Sequence, residues 1–257
     1  MDDVSSPAAR SFPELPPELA SRMFTGSSAL PKRERTRQQL LAAAVRVFTS
    51  RGITDATIQE IAAVAGMANA TVYNHFSTRD EVVQAVAAWL AETLCRTIAA
   101  SYDHIGPATQ RMAIGNRRYV WLAEQSPAWA LLLLDVMDAA PQQLLRVLEY
   151  PLMDLRLGIR QKVFRIASER AAMDLIGGTV AQAMRSVALG GTGPGHGVAI
   201  ATTVLRGLGV PFEEAAKVAS RPLPLLTGPQ AAPIAPIAPA RGSGRRLSGM
   251  GKRPGRA

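Results

Sequence analysis

The chain has 257 residues, a formal net charge of +9 and a pI near 10.5, with 47% apolar and 19% charged residues, the composition of a globular protein with a buried core. One cysteine, Cys95, and three histidines, His75, His104 and His196, exclude a disulfide framework and a Cys-rich metal site. No uninterrupted apolar run reaches about 20 residues, and the first residues, with Asp2 and Asp3, carry no apolar signal core, so the expectation is a cytoplasmic protein with no secretory signal and no membrane span.

Residues 1–31 contain Pro7, Pro13, Pro16 and Pro17 and carry a net charge of −2; they read as an unstructured arm. From Lys32 to Pro222 the sequence is rich in Ala, Leu, Arg, Gln and Glu, sparse in proline and without period-2 alternation. Helices are expected there and strands are not. They fall at about 32–50, 57–64, 68–75, 79–103, 108–123, 127–138, 141–163, 167–189, 196–208 and 212–220. Gly52, Gly66, Gly106-Pro107, Pro127, Pro141, Gly190-Gly191 and Pro211 separate them. The fold class is all-α.

In the first helix Leu40, Leu41, Ala44, Val45 and Phe48 have the spacing of one buried face, and Lys32, Arg33, Arg35 and Arg37 mark its entry and opposite face. Thr57-Ile58-Gln59-Glu60 is a capping box, in which the Thr57 hydroxyl accepts from the Glu60 N–H and the carboxylate reaches back. Ile58, Ile61, Ala62 and Ala65 form the inward face of the second helix, and Gly66 ends it. A short third helix follows, with Ala68, Val72 and Phe76 at spacing four. Two short helices about a glycine turn are what a helix-turn-helix requires. Ala62 permits a close crossing, Gly66 takes a conformation that a Cβ penalises, and Val72 and Phe76 pin the third helix to its neighbours. Its outer face is then Asn69, Ala70, Thr71, Tyr73, Asn74 and His75. That face suits a major groove, where Asn can make two hydrogen bonds to adenine.

Residues Thr36 to Val86 resemble the TetR family of bacterial transcriptional regulators. The resemblance is carried by Thr36-Arg37, Leu40-Leu41-Ala42-Ala43-Ala44, Phe48, Arg51-Gly52, Ala56-Thr57, Ile61-Ala62, Ala65-Gly66, Thr71-Val72-Tyr73 and His75-Phe76, with Arg79 where the family usually has lysine. It implies an N-terminal three-helix bundle with a helix-turn-helix over residues 32–85, then a larger helical ligand-binding and dimerisation half over 86–227. It implies phosphate contacts from Thr57, Tyr73, His75 and Arg79. Asn69, Ala70, Thr71 and Asn74 would face bases, with Tyr73 touching both. Where the family often has Ser-Lys-Gly, this chain has Ala68-Asn69-Ala70, so the recognition helix lacks its usual basic residue. Phosphate attraction is then expected from Lys32, Arg33, Arg35 and Arg37, together with Arg79.

In this family the first helices of the larger half surround a small-molecule cavity, and the last two long ones form a two-fold four-helix bundle. Aromatic residues and methionines at helical spacing fill cores more often than pockets. The pocket candidates are therefore limited to Tyr102, Tyr119, Trp121, Trp129 and Met137, and an apolar cavity would favour a hydrophobic effector. For a homodimer the candidate faces are Ala171, Leu175, Gly178, Ala181, Gln182 and Met184 on one helix and Val198, Ala201, Thr202, Leu205 and Leu208 on the next. The glycines from Gly191 to Gly197 follow no strand and precede no lysine, so they match no nucleotide fingerprint. Asp135 and Asp138 have no histidine within a turn, and Cys95 has only Arg96 as a basic neighbour. No enzyme, cofactor or metal site is expected.

The last element is a tail. Residues 228–257 hold Arg241, Arg245, Arg246, Lys252, Arg253 and Arg256 and no acid, +6 of the total charge. Its Pro-, Ala- and Gly-rich text lacks the apolar surface to offset ordering entropy, so disorder is expected. It reads either as a solvated extension or as a non-specific attraction to phosphates. The expected function is a sequence-specific repressor that binds palindromic double-stranded DNA and is released by a small hydrophobic ligand. Two rivals remain: an architectural DNA-binding protein assisted by the tail, and a small-molecule-binding scaffold that does not bind DNA.

Overall fold

The computed structural model describes residues 30–226 and Leu19, and every regular element among them is helical. The expected arm and the tail over 228–257 lie outside the described residues, apart from Leu19, Leu30 and Pro31. Leu19 is buried in the core beneath the helix-turn-helix, so at this one position the arm is packed rather than unstructured.

Three helices form the N-terminal unit: α1 (Lys32–Arg51), α2 (Ile58–Ala65) and α3 (Asn69–Tyr73). α1 buries Leu40, Leu41, Ala44, Val45 and Phe48, the stripe that its apolar spacing sets. α2 starts on a complete capping box: the Glu60 N–H donates to Thr57 Oγ1 at 3.2 Å, and the Thr57 N–H donates to the Glu60 carboxylate at 3.0 Å. Gly66 ends it at φ 66° and ψ 34°, a conformation that costs an L-residue about 1–2 kcal/mol. The Met67 N–H then closes the turn on the Ala62 carbonyl at 2.9 Å. α3 is shorter than the expected 68–75. Beyond Tyr73 the chain continues in turns, with the His75 and Phe76 N–H groups donating to the Val72 carbonyl.

α4 (Arg79–Ala100) leads from this unit into the rest of the molecule. Thr78 caps it by accepting from the Glu81 N–H. Within it Ala91–Cys95 forms a π turn, an i→i+5 insertion that a 3.6-residue periodicity does not register. The helix is long and apolar enough to cross a membrane, but 72% of that stretch is buried inside the fold, the property of a core helix.

The larger half comprises α5 (Ala108–Gln125), α6 (Pro127–Ala139), α7 (Pro141–Arg160), α8 (Glu169–Ala188), α9 (His196–Gly207) and α10 (Phe212–Ala219). α5 is central, with α6 to α10 all packed on it. α7 stops short of the expected residue 163. Lys162 takes φ 58°, and the chain folds the Phe164 ring onto Gly158, where a Cβ would lie 2.0 Å from the ring. After α10 the chain runs back over α5. There Arg117 donates to the Ala219 and Arg221 carbonyls, Arg118 donates to that of Pro224, and Leu226 enters the core.

Two apolar clusters result. One runs from α1–α3 through α4 into α6 and reaches Met184 of α8; the other fills the space between α5, α8, α9 and α10. The expected boundary at residue 85 falls inside α4, whose Val82, Val86 and Leu90 share a core with α1. Ala201 and Leu205 of α9, Leu208 just beyond it, and Met184 of α8 are buried within the single chain, and Val198 and Thr202 are half-buried. The α9 face expected to dimerise is therefore core. Both sides of that helix are small or apolar, and periodicity alone does not say which one meets α5. The faces left exposed are Ala171, Gly178 and Gln182 on α8 and Ala199, Thr203, Arg206 and Gly207 on α9.

Candidate functional site

α3 turns its polar side outward. Val72 and Phe76 are 0% and 1% exposed, whereas Tyr73 is 56% exposed. Asn69, Ala70 and Asn74 are exposed too, and Thr71 and His75 are half-buried. Burying the two apolar side chains contributes about 1.5–3 kcal/mol each. That anchoring sets the rotation of a five-residue helix too short to persist alone.

Cations flank the face. The Arg37 guanidinium lies 5.2 Å from the Phe76 ring centroid, so the start of α1 abuts the end of α3. Lys32, Arg33 and Arg35 are exposed at the same end of α1, with Arg33 on the Arg37 side of the helix and Arg35 about 200° round from it. Burial lowers the His75 pKa below its ordinary value, and the nearby Arg33 and Arg37 lower it further.

On the other side Thr54 to Gln59, Tyr73 and Arg79 line a shallow depression of about 430 Å³. It opens at the N-terminus of α2, where the helix dipole favours an anion. Arg79 Nε donates to the Ala56 carbonyl at 2.8 Å, which ties α4 to the loop before α2. Thr57 Oγ1 also donates to Glu60 Oε2 at 2.9 Å, and Arg51 pairs with the same carboxylate at 2.8 Å. The hydrogen bonds from Thr57, then Arg51, hold the Glu60 pKa below its ordinary value. Thr57 therefore serves first as a helix cap. The structure brings Thr57, Tyr73 and Arg79 to one depression and Arg33, Arg37 and His75 to one edge.

The larger half holds a cavity of about 650 Å³ between α4, α5, α6, α7 and α8, open to solvent on the side of Leu145 and Arg170, the size of a small-molecule site. Tyr102, Tyr119 and Met137 line it. Trp121 and Trp129 are not in its lining. Trp129 is buried in the core near α4, and Trp121 lies 5.2 Å beneath the Arg118 guanidinium. Tyr119 and Trp121 are two apart on α5, so they point about 200° away from each other.

Sequence reasoning missed the cavity's polar residues. Arg111 Nε donates to Asp154 Oδ1 at 2.6 Å, its Nη1 to the Asp103 carbonyl at 3.0 Å, and its guanidinium lies 5.3 Å from the Tyr102 ring centroid. Burial raises the Asp154 pKa while Arg111 draws it back. Burial also pushes the Cys95 thiol up to about 12, opposed by a hydrogen bond with Tyr119. Arg111 and Asp154 are 43 residues apart, and no local spacing signals such a pair.

These features define a class: an all-helical protein with an outward-facing helix-turn-helix at one end and a cavity in its larger half. Residues 40–86 match the bacterial regulatory proteins of the tetR family, and residues 107–221 match the tetracyclin repressor-like C-terminal domain. The chain belongs to the TetR family of bacterial regulatory proteins. The HTH-type transcriptional regulator SrpR of Pseudomonas putida is 47% identical over 55 residues, 21% of this chain and 26% of that one. The HTH-type nicotine-responsive transcriptional repressor HdnoR of Paenarthrobacter nicotinovorans is 40% identical over 67 residues, 26% of this chain and 34% of that one. The chain thus spans only a quarter to a third of the length of these relatives. Among solved structures, RolR in complex with resorcinol has a TM-score of 0.62 at 27% identity, covering 76% of this chain and 98% of that one.

Proposed function

We propose that the protein is a sequence-specific DNA-binding transcriptional regulator, a homodimeric repressor of a palindromic site released by a small hydrophobic ligand. The observation that carries this reading is the outward polar face of Asn69, Ala70, Thr71, Tyr73 and Asn74 over buried Val72 and Phe76. Tyr73, Asn69 and Asn74 would read base edges. Lys32, Arg33, Arg35 and Arg37 on one side, and Arg79 with the α2 N-terminus on the other, would hold phosphates. α4 supports the coupling, because its Val82 and Val86 share a core with α1 while its Cys95 and Ile98 line the cavity. A ligand that biases this helix shifts a two-state population, typically with a coupling of ~1–3 kcal/mol. RolR was solved with resorcinol and HdnoR is nicotine-responsive, which supports a small-molecule effector. Mobility-shift and protection assays across genomic fragments test the reading. A protected palindrome with half-sites about one helical turn apart is expected. No protected palindrome at low salt overturns it in favour of a scaffold that does not bind DNA.

Two further outcomes follow from particular side chains. A phosphate beside His75 opposes the lowering by burial, Arg33 and Arg37, so binding takes up a proton. DNA affinity should rise as the pH is lowered from about 8 to about 6, and His75→Gln should flatten that rise. An equal rise in the variant would remove His75 from the phosphate contacts. The second concerns Gly178, whose surroundings on α8 are open, with nothing within 4 Å of a built Cβ. Gly178→Arg should therefore leave the monomer's stability unharmed, since arginine is also the better helix former. The light-scattering mass should fall from two chains to one. A mass that stays at two chains would take this α8 face out of the interface.

A further inference from the structure

We infer that the cavity takes an uncharged, largely apolar molecule bearing a hydrogen-bond donor, and that Asn116 accepts from it. This rests on the larger half being a ligand-binding half.

The charges come first. Every ionised side chain along the lining has an opposite partner within the chain. Arg111 is held by Asp154 at 2.6 Å. Arg170 pairs with Asp174 at 3.1 Å, and Asp138 pairs with Arg185 at 3.6 Å. An anionic ligand would find its nearest buried cation already neutralised, and a cationic ligand would find the buried carboxylate likewise occupied. Burying a charge without a partner is strongly unfavourable, so the inner part of the cavity, beside Arg111 and Asp154, selects a neutral group, while Arg170, Asp174 and Asp138 stand at its exposed mouth.

The hydrogen-bonding groups come next. The Tyr102 hydroxyl is bonded to Asp154 and that of Tyr119 to Cys95, so both are engaged within the chain. Asn116 differs. It lines the cavity, it is 4% exposed, and its Oδ1 has no partner. Its Nδ2 donates to the Met112 carbonyl at 2.6 Å. That bond fixes which way the amide points, because a flipped amide would set two oxygens against each other. Asn116 thus offers a buried acceptor, and a buried acceptor without a donor is costly. A hydroxyl or N–H on an otherwise apolar ligand satisfies it once the lining side chains part to admit the donor, since the oxygen itself is covered.

Calorimetric titration of the full chain tests this with three probes: 4-hexylresorcinol, its dimethyl ether and decanoate. The first has donors and an apolar arm, the second replaces each donor hydrogen by a methyl group, and the third is apolar but anionic. 4-Hexylresorcinol should bind, and the ether should bind roughly ten- to a hundredfold more weakly. Decanoate should bind no better than the ether. Asn116→Leu, similar in volume, should abolish the discrimination between the first two. An ether that binds as tightly as its parent overturns the inference. So do a preference for decanoate, no heat from any of the three at millimolar concentration, or discrimination that persists in a folded Asn116→Leu. If that variant does not fold, the comparison of parent and ether on the natural chain decides. DNA release is read separately: 4-hexylresorcinol that binds without weakening a DNA complex refutes ligand release but leaves this inference standing.

Discussion

Tyr73→Ala and Asn74→Ala should each weaken binding to the preferred DNA site by about ten- to a hundredfold while moving Tm by no more than about 2 °C. Both side chains are exposed, and neither holds α3 in place; Val72 and Phe76 do that from the buried side. A loss of affinity without a loss of stability therefore reports on contacts with DNA. The pattern across sites separates reading from attraction. Asn74→Ala should cost most at the preferred sequence and little on unrelated DNA, so the specificity ratio falls. Arg35→Ala should weaken both equally and reduce the slope of log affinity against log salt by about 0.9. If Tyr73→Ala and Asn74→Ala both leave the ratio between preferred and unrelated DNA unchanged, α3 does not read bases.

The rotation of α3 was legible because it depends on local chemistry. The capping box at Thr57 and Glu60 fixes the start of α2, the left-handed Gly66 fixes its end, and two apolar side chains four apart fix which side of α3 faces in. Each of these acts within a few residues. The cavity was only partly legible. Tyr102, Tyr119 and Met137 line it, but Trp121 and Trp129 have the same chemical character and pack elsewhere. Their rotation on α5 and α6, which composition does not encode, separates them. The α9 face was misread for a related reason. Ala201, Leu205 and Leu208 form a sound apolar stripe, and whether it meets α5 or a second chain is a tertiary question. Arg111 and Asp154 escaped notice because each reads alone as an ordinary helix-surface charge, and only the packing of α5 against α7 joins them.

That pair gives the other large expected effect. Asp154 is buried and Arg111 nearly so, with side chains 3% and 13% exposed. Arg111→Met or Asp154→Leu alone should destabilise the fold by about 3–5 kcal/mol, because each leaves a buried charge without its partner. The double variant should cost far less than the two single variants combined. Arg111→Met should be the worse of the two, since its guanidinium also donates to the carbonyls of Tyr102, Asp103 and Ile105 beyond the end of α4. The singles should also differ in their response to pH. Burial raises the Asp154 pKa above its ordinary value, and the hydrogen bond and charge of Arg111 oppose that rise; without Arg111 it rises further. A carboxyl whose folded pKa exceeds its unfolded one binds protons more readily in the folded state. Its contribution to stability is therefore full below the unfolded pKa and is lost as pH rises through the folded one. Arg111→Met should accordingly regain stability relative to the natural chain between about pH 7 and about pH 5. Asp154→Leu should show no such recovery, because the guanidinium it strands does not titrate in that range. Urea unfolding of both variants at the two pH values measures the difference. Parallel losses at both values would mean that Asp154 is not the charge left buried in Arg111→Met.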